Sequence, residues 1–401
     1  MKRIRFFLSS TLLIMLFLSS SGVSATLDRT DIKLMSPQEF VSYINKKVPV
    51  LMREEKIPGA AVVLVQKGRI LQVRGFGYRD KAKKLPVTTE TVFQVGSISK
   101  SMTAWGVMKL VQDGLVKLDF PLETYLVHWR LPASEYDHSK VTIRALLSDT
   151  AGISVQKYLG YHPSKKPPSL QEVLAGKKLG LEKVYVKYEP GEYRYSEGGY
   201  ALLQLAFEEI TREDFARYME REVITPLGLK NTSYRWRSDL QPKTAKCYDM
   251  YGFTLPNYIF TVKAATGLYS TPADLGKWMI AASQTFVGKS EPVLDKRTCQ
   301  TLFTPVFADY GLGCIAEILP FGERYISYNG SNHGWKAYFG LLTKEGNGIA
   351  ILTNSDRGMN LIGPVIDDWF AWQRLNRRAV VVDNTPLYFL DLYTRVRRLL
   401  Q

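Results

Sequence analysis

Cysteine and histidine are scarce: Cys247, Cys299 and Cys314, with His128, His138, His162 and His333, are all that 401 residues contain. Three cysteines permit at most one internal disulfide and form no Cys-x-x-Cys, and the histidines lack metal-ligand spacing, so each reads as a surface or structural residue. His-Glu-x-x-His and Gly-x-Ser-x-Gly are absent, and Gly288-Lys289-Ser290 lacks the upstream glycine of a phosphate loop. Zinc peptidases, thiol oxidoreductases, nucleophile-elbow hydrolases and P-loop enzymes are thereby excluded, and no metal or organic cofactor is implied. Acid is also short, with 38 Asp and Glu against 53 Lys and Arg and a net charge of +15. The bases are scattered as pairs such as Lys46-Lys47, Lys83-Lys84, Lys165-Lys166 and Arg397-Arg398, without a dense block interleaved with aromatics. That pattern argues against nucleic acid. An anionic cell-envelope surface is one use for the charge, and a solvated basic face without a partner is the other.

Long apolar runs are missing apart from Phe6 to about Ser19, which follows Met1-Lys2-Arg3-Ile4-Arg5 and precedes Val23-Ser24-Ala25. A basic start, a short apolar stretch and small residues two apart predict a signal peptide over 1–25, hence a periplasmic or secreted protein with no membrane span after cleavage. Without Lys2, Arg3 and Arg5 the net charge is +12. The remainder reads as one unit over 26–376 and a basic amphipathic tail over 377–401. Apolar spacing through Phe40, Ile44, Val48 and Leu51 predicts a helix over Pro37 to Glu55. Ala60 to Val65 and Ile70 to Val73, joined at Lys67-Gly68, predict a hairpin. Residues 115 to 260 read as mostly helical segments between Pro- and Gly-bearing loops. Gly311 to Gly313, Tyr325 to Tyr328, Trp335 to Leu342 and Gly348 to Thr353 read as strands, and Leu361 to Arg374 as a helix. Strands at both ends of a helical middle predict an α+β fold: one antiparallel sheet from about 32–95 and 260–376, flanked by helices, with a mainly helical insertion over about 97–255.

Chemistry concentrates where Phe93-Gln94-Val95-Gly96-Ser97-Ile98-Ser99-Lys100 opens a helix running to Asp113 and stopped by Gly114. Residues i and i+3 of a helix lie side by side, roughly 5 to 6 Å apart at Cβ, which predicts that the Lys100 amine reaches the Ser97 hydroxyl. The helix N-terminus favours the negative charge that develops on an activated serine. Ser154-Val155-Gln156-Lys157 repeats the spacing but opens no helix, and reads as loop chemistry.

With that pair placed, the chain resembles the serine β-lactamase and penicillin-binding-protein superfamily over about residues 35 to 375, in its branch of class C β-lactamases, D-alanyl-D-alanine carboxypeptidases and related esterases. Four ordered segments carry the resemblance: Phe93 to Lys100, Val141 to Ile153, Glu189-Pro190-Gly191 through Tyr195-Ser196, and Pro226-Leu227-Gly228-Leu229. It implies a β-lactamase/transpeptidase-like fold and an acyl-enzyme on Ser97, with Lys100 and Tyr195 sharing proton transfer. Tyr195-Ser196-Glu197 stands at the family's Tyr-x-Asn. Glu197 in place of asparagine reads either as an outward-pointing surface residue or as a group that activates water and holds Lys100 as an ammonium. Tyr328-Asn329-Gly330 falls at the family's Lys-Thr-Gly or His-Thr-Gly, where Gly330 admits substrate and the amides of Ser97 and Ser331 form an oxyanion hole. The cation that meets a substrate carboxylate is missing there, and His333 or Lys336 stands in as a candidate. The implied substrates are D-alanyl peptides, β-lactams or small esters. A non-catalytic binder or sensor of wall peptides with the same fold is the competing expectation.

Overall fold

The computed structural model describes residues 29–177 and 182–375. The expected signal peptide and basic tail lie outside the described residues.

Pro37–Glu54 (α1) opens on a capping box: Glu39 N–H donates to Ser36 Oγ, and Glu39 Oε2 accepts from Ser36 N–H. The hairpin follows as Gly59–Gln66 (β1) and Arg69–Asp80 (β2), with the short edge strand Leu85–Pro86 (β3). Near the other end come Ile315–Ile318 (β4), Arg324–Asn332 (β5), Trp335–Leu342 (β6) and Asn347–Thr353 (β7). They form one seven-stranded sheet in the order β3-β2-β1-β7-β6-β5-β4, antiparallel throughout, so that β1 pairs with β7 and both ends of the chain share the sheet. The sheet is covered on both faces, which is why β1 reads as a continuous apolar run. Ala60, Val62 and Leu64 pack toward the terminal helices α1 and Met359–Trp372 (α5), where Trp372 stacks on Phe40 with centroids 4.3 Å apart. Ala61, Val63 and Val65 face the main body through Pro272–Val287 (α4), whose Trp278 meets Phe339 at 4.8 Å.

Two expectations change. Gly311 to Gly313 is irregular, and the strand begins only at Ile315. Gly313 has φ +79 and its amide is donated to Leu147 O, so its backbone serves the body instead of the sheet. The middle of the chain is also less helical than its apolar spacing suggests. Glu197–Thr211 (α3) is its long helix, and short pieces such as Ile143–Leu147 and Leu170–Leu174 are separated by extended loops. Pro163, Pro167, Pro168 and Pro190 remove amide donors along those loops.

Ile98–Gln112 (α2) is buried nearly all round, with Trp105 set edge-on to Trp278. Because β4 pairs only with Arg324 to Ser327, residues 328 to 332 of β5 keep a free edge. That edge lies against the segment entering α2. A Cβ on Gly330 would sit 1.8 Å from Val95 O, and one on Gly96, which has φ +53, would sit 2.4 Å from Ser331 N. Only glycine fits either place.

Candidate active site

Ser97 caps α2 at φ −65 and ψ −6 and is almost fully buried. The turn that holds it is fixed from behind. Ser99 Oγ donates to Gly96 O at 2.6 Å and accepts from Leu268 N–H, and Val95 N–H donates to Leu268 O. The Ser97 hydroxyl meets the Tyr195 hydroxyl at 2.6 Å.

Lys100 does not bond Ser97, contrary to the expectation from helical spacing. Its Nζ donates to Asp149 Oδ2 at 3.0 Å, Asp149 Oδ1 at 3.2 Å and Ser196 O at 3.2 Å, and its side chain is wholly buried. These three acceptors match the three ammonium protons. The same Nζ lies 3.7 Å from the centroid of the Tyr195 ring and 4.4 Å from that of Tyr200, so Lys100 acts on the serine's partner through its π face. Burial lowers the Lys100 pKa, opposed by the adjoining Asp149 and by Glu197. Burial raises that of Asp149, opposed by Lys100.

Asp149 lies in the Val141 to Ile153 segment, but nothing in the sequence gave it a role in the site. Besides Lys100 it accepts Ser196 N–H at 3.2 Å and the Tyr310 hydroxyl at 3.1 Å. Tyr310 in turn accepts from the Tyr328 hydroxyl at 2.7 Å. Tyr328 therefore turns its hydroxyl inward, to a chain ending at Lys100, where substrate contact was expected. The signal for Asp149 in the sequence was limited to an acid within an otherwise apolar and small run, Leu146 to Gly152.

Glu197 does not point outward: it is 2% exposed and faces inward. One carboxylate oxygen accepts Tyr158 N–H at 2.6 Å, and the other lies 3.5 Å from the Tyr195 hydroxyl. Burial raises its pKa to about 7. Tyr195, buried beside Glu197, is held well above the ordinary phenol value, so at rest it is a neutral phenol. The loop that brings Tyr158 to Glu197 is strained, with Val155 at φ +63, and is held by Gly198 N–H on Val155 O at 3.0 Å and Ser196 Oγ on Ser154 O at 2.8 Å. Ser154 accepts Tyr185 N–H and donates to Lys183 O, which spends its hydroxyl on the loop.

On the third motif, Lys336 pairs with Ser331 across β5 and β6, on the face that carries Tyr338 and the terminal helices. Its Nζ binds Ser331 Oγ at 2.9 Å and Asp356 Oδ1 at 3.2 Å, so it does not reach into the cleft. Ser331 is left to act through its backbone, whose nitrogen is the atom packed beside Gly96. Asn329 lies on that same face, half-buried. His333 is exposed at the β5–β6 turn with its ring 6.0 Å from that of Tyr258. Among the described residues no group of three His, Cys, Asp or Glu suits a metal, and the three cysteines are buried and free.

A serine on a helix cap, a lysine one turn on, a tyrosine facing them and a glycine-bearing strand edge form a constellation of the kind a serine hydrolase uses. Residues 44–362 match the Beta-lactamase family, and the chain belongs to it. Protein flp of Staphylococcus aureus strain N315 is 23% identical over 319 residues, 78% of this chain and 62% of the relative, so the chain spans less than two thirds of that relative's length. The putative penicillin-binding protein PbpX of Bacillus subtilis is 25% identical over 359 residues, 86% of this chain and 84% of the relative. The octameric penicillin-binding protein homologue from Pyrococcus abyssi superposes with a TM-score of 0.67 at 26% identity, covering 80% of this chain and 74% of that one. The D-alanine carboxypeptidase AmpC from Burkholderia cenocepacia reaches 0.70 at 19% identity, over 85% and 100%, and shares the fold.

Proposed function

We propose that the protein is an exported serine hydrolase that forms an acyl-enzyme on Ser97, with small esters favoured over D-alanyl peptides and β-lactams. The observation that carries this reading is the 2.6 Å contact between Ser97 Oγ and Tyr195 Oη beneath the buried Lys100 ammonium. The preference for esters rests on the third motif, where Tyr328 is bonded to Tyr310 and Lys336 to Asp356, leaving the carboxylate common to the other two substrate classes without its usual cation.

Ser97 Oγ attacks the acyl carbon as its proton passes to Tyr195 Oη, and Tyr195 hands its own proton to Glu197 Oε1. The 3.5 Å gap between these last two is long for a resting hydrogen bond and shortens on binding. A neutral tyrosine cannot serve alone as a base, whereas a carboxylate near pKa 7 is matched to that task at neutral pH. Lys100, locked by Asp149, steadies negative charge passing through the tyrosine. The Ser97 and Ser331 amides hold the oxyanion. The proton returns through Tyr195 to the leaving group, and the same path then takes the proton of the water that releases the acyl group.

Glu197→Gln tests the relay. Its expected effect on kcat/KM for p-nitrophenyl acetate is a loss of the rise through pH of about 7, with the activity at higher pH falling roughly 10²-fold or more. Stability responds in the opposite sense. A carboxyl whose pKa is raised on folding binds more protons in the folded state between its unfolded value of 4.5 and about 7, so wild-type stability falls as pH rises through that window, by roughly 3 kcal/mol. Glutamine keeps an oxygen for Tyr158 N–H and buries no charge, so urea unfolding of the variant shows no such fall. A variant with an unchanged pH profile of hydrolysis removes Glu197 from the mechanism.

A further inference from the structure

Beside the β5–β6 turn a small hairpin, Cys247–Tyr248 paired with Thr254–Leu255, carries Met250, Tyr251 and Phe253 at its tip. These large apolar side chains are 52%, 77% and 71% exposed. The tip is rigidly built. Asp249 Oδ1 accepts from Tyr251 N–H at 2.8 Å and Phe253 N–H at 2.9 Å, Asp249 N–H donates to Phe253 O, and Arg357 Nε donates to Met250 O at 2.6 Å. Three adjacent apolar side chains fixed in water are unfavourable unless something covers them.

The charge around them says what. Lys81, Lys83 and Lys84 lie exposed in the turn after β2, which is tied to the hairpin by Lys81 N–H on the Tyr248 hydroxyl and Lys246 N–H on Arg79 O. Lys246 is exposed beside them. The nearby acids are engaged: Asp80 with Lys83 N–H, Asp249 with the tip amides, and Asp356 with Lys336 and Gly334 N–H. An apolar tip with exposed lysines beside the base of its hairpin is complementary to a surface with an anionic outside and a hydrocarbon inside.

We propose that this hairpin docks the protein on an anionic lipid surface, with Tyr251 and Phe253 entering the headgroup boundary and the lysines meeting phosphate. Its base touches the turn that follows Ser331, since a Cβ on Gly334 would sit 2.7 Å from Cys247 Cβ. Docking therefore brings the turn that follows Ser331 close to the lipid. Binding by the hairpin does not depend on the acyl-transfer reading, and Ser97→Ala binds as wild type does.

The full chain is sedimented with phosphatidylglycerol vesicles and with phosphatidylcholine vesicles. Expected is binding to the first, weakened by salt, and little to the second. Tyr251→Ser with Phe253→Ser lowers the vesicle partition coefficient at least about tenfold, because two interfacial aromatic anchors are lost, while p-nitrophenyl acetate hydrolysis and the unfolding transition stay unchanged. Tyr251→Phe with Phe253→Tyr restores binding, separating interfacial character from the fold of the hairpin. No binding to phosphatidylglycerol vesicles, or binding that the double serine variant retains, overturns the proposal. So does a self-associated wild type that the double serine variant dissociates, which assigns the tip to a protein contact.

Discussion

Asp149→Ala is expected to cost roughly 3–5 kcal/mol of stability, the usual penalty for breaking a buried ion pair from one side. The side chain accepts four hydrogen bonds, two from Lys100 Nζ and one each from Ser196 N–H and the Tyr310 hydroxyl. Its loss strands an ammonium that is 0% exposed. Asp149 also has φ +53, which aspartate and asparagine tolerate better than alanine. Asp149→Asn therefore loses less, since it keeps the backbone preference and an oxygen for Lys100. With the carboxylate gone, the opposition to burial weakens and the Lys100 pKa falls further. Between that lowered value and 10.5 the folded state binds fewer protons than the unfolded one, so the stability of the asparagine variant increases with pH more steeply than that of wild type, in which Asp149 opposes the shift. Urea unfolding across pH measures both effects. Lys100→Met combined with Asp149→Leu, which removes both charges, recovers part of the loss. An Asp149→Ala variant as stable as wild type refutes the ion pair as a structural element.

Tyr195→Phe is expected to lower kcat for ester hydrolysis by roughly 10² to 10⁴, the contribution of a positioned acid-base group. The ring remains, and with it the Lys100 contact at 3.7 Å, so the unfolding transition is expected to move little. What disappears is the oxygen that joins Ser97 at 2.6 Å to Glu197 at 3.5 Å. Because the phenylalanine variant cannot pass a proton between them, its remaining activity no longer follows the titration of Glu197. Full activity in this variant sends the serine proton elsewhere. The one-turn neighbour is a poor alternative, with Lys100 committed to Asp149 and Ser196.

The two ends of the sheet, the continuous apolar run of β1 and the helix that follows Ser97 were all legible as local pattern: apolar spacing, turn glycines and an ordered set of motifs. Gly330 was expected to admit substrate, whereas its glycine is required by the backbone of Val95, whose carbonyl oxygen would lie 1.8 Å from a Cβ there. Where the reading failed, side-chain direction was decided by distant segments. Helical spacing brings Lys100 near Ser97, but an acid 49 residues on, in a different loop, captures its amine. Glu197 looked free to face solvent until the strained Val155 turn set Tyr158 N–H against it. Lys336 was proposed for the cleft on sequence proximity to Ser331, and the period of the strand places it on the opposite face with Asp356. The Tyr328–Tyr310–Asp149 chain joins residues 179 positions apart in sequence at its extremes, and no short-range signal announces it.

The proposed function stands on acylation of Ser97. Intact mass measurement after brief exposure to p-nitrophenyl acetate, and separately to a fluorescent penicillin, tests it most directly. Expected is a single acetyl adduct that peptide mapping places on Ser97, that forms and decays more slowly in Glu197→Gln, and that is absent from Ser97→Ala, with weaker labelling by the penicillin. A folded wild-type protein that takes up neither acyl group, or takes one up equally in Ser97→Ala, contradicts it and leaves a binding protein built on a hydrolase fold.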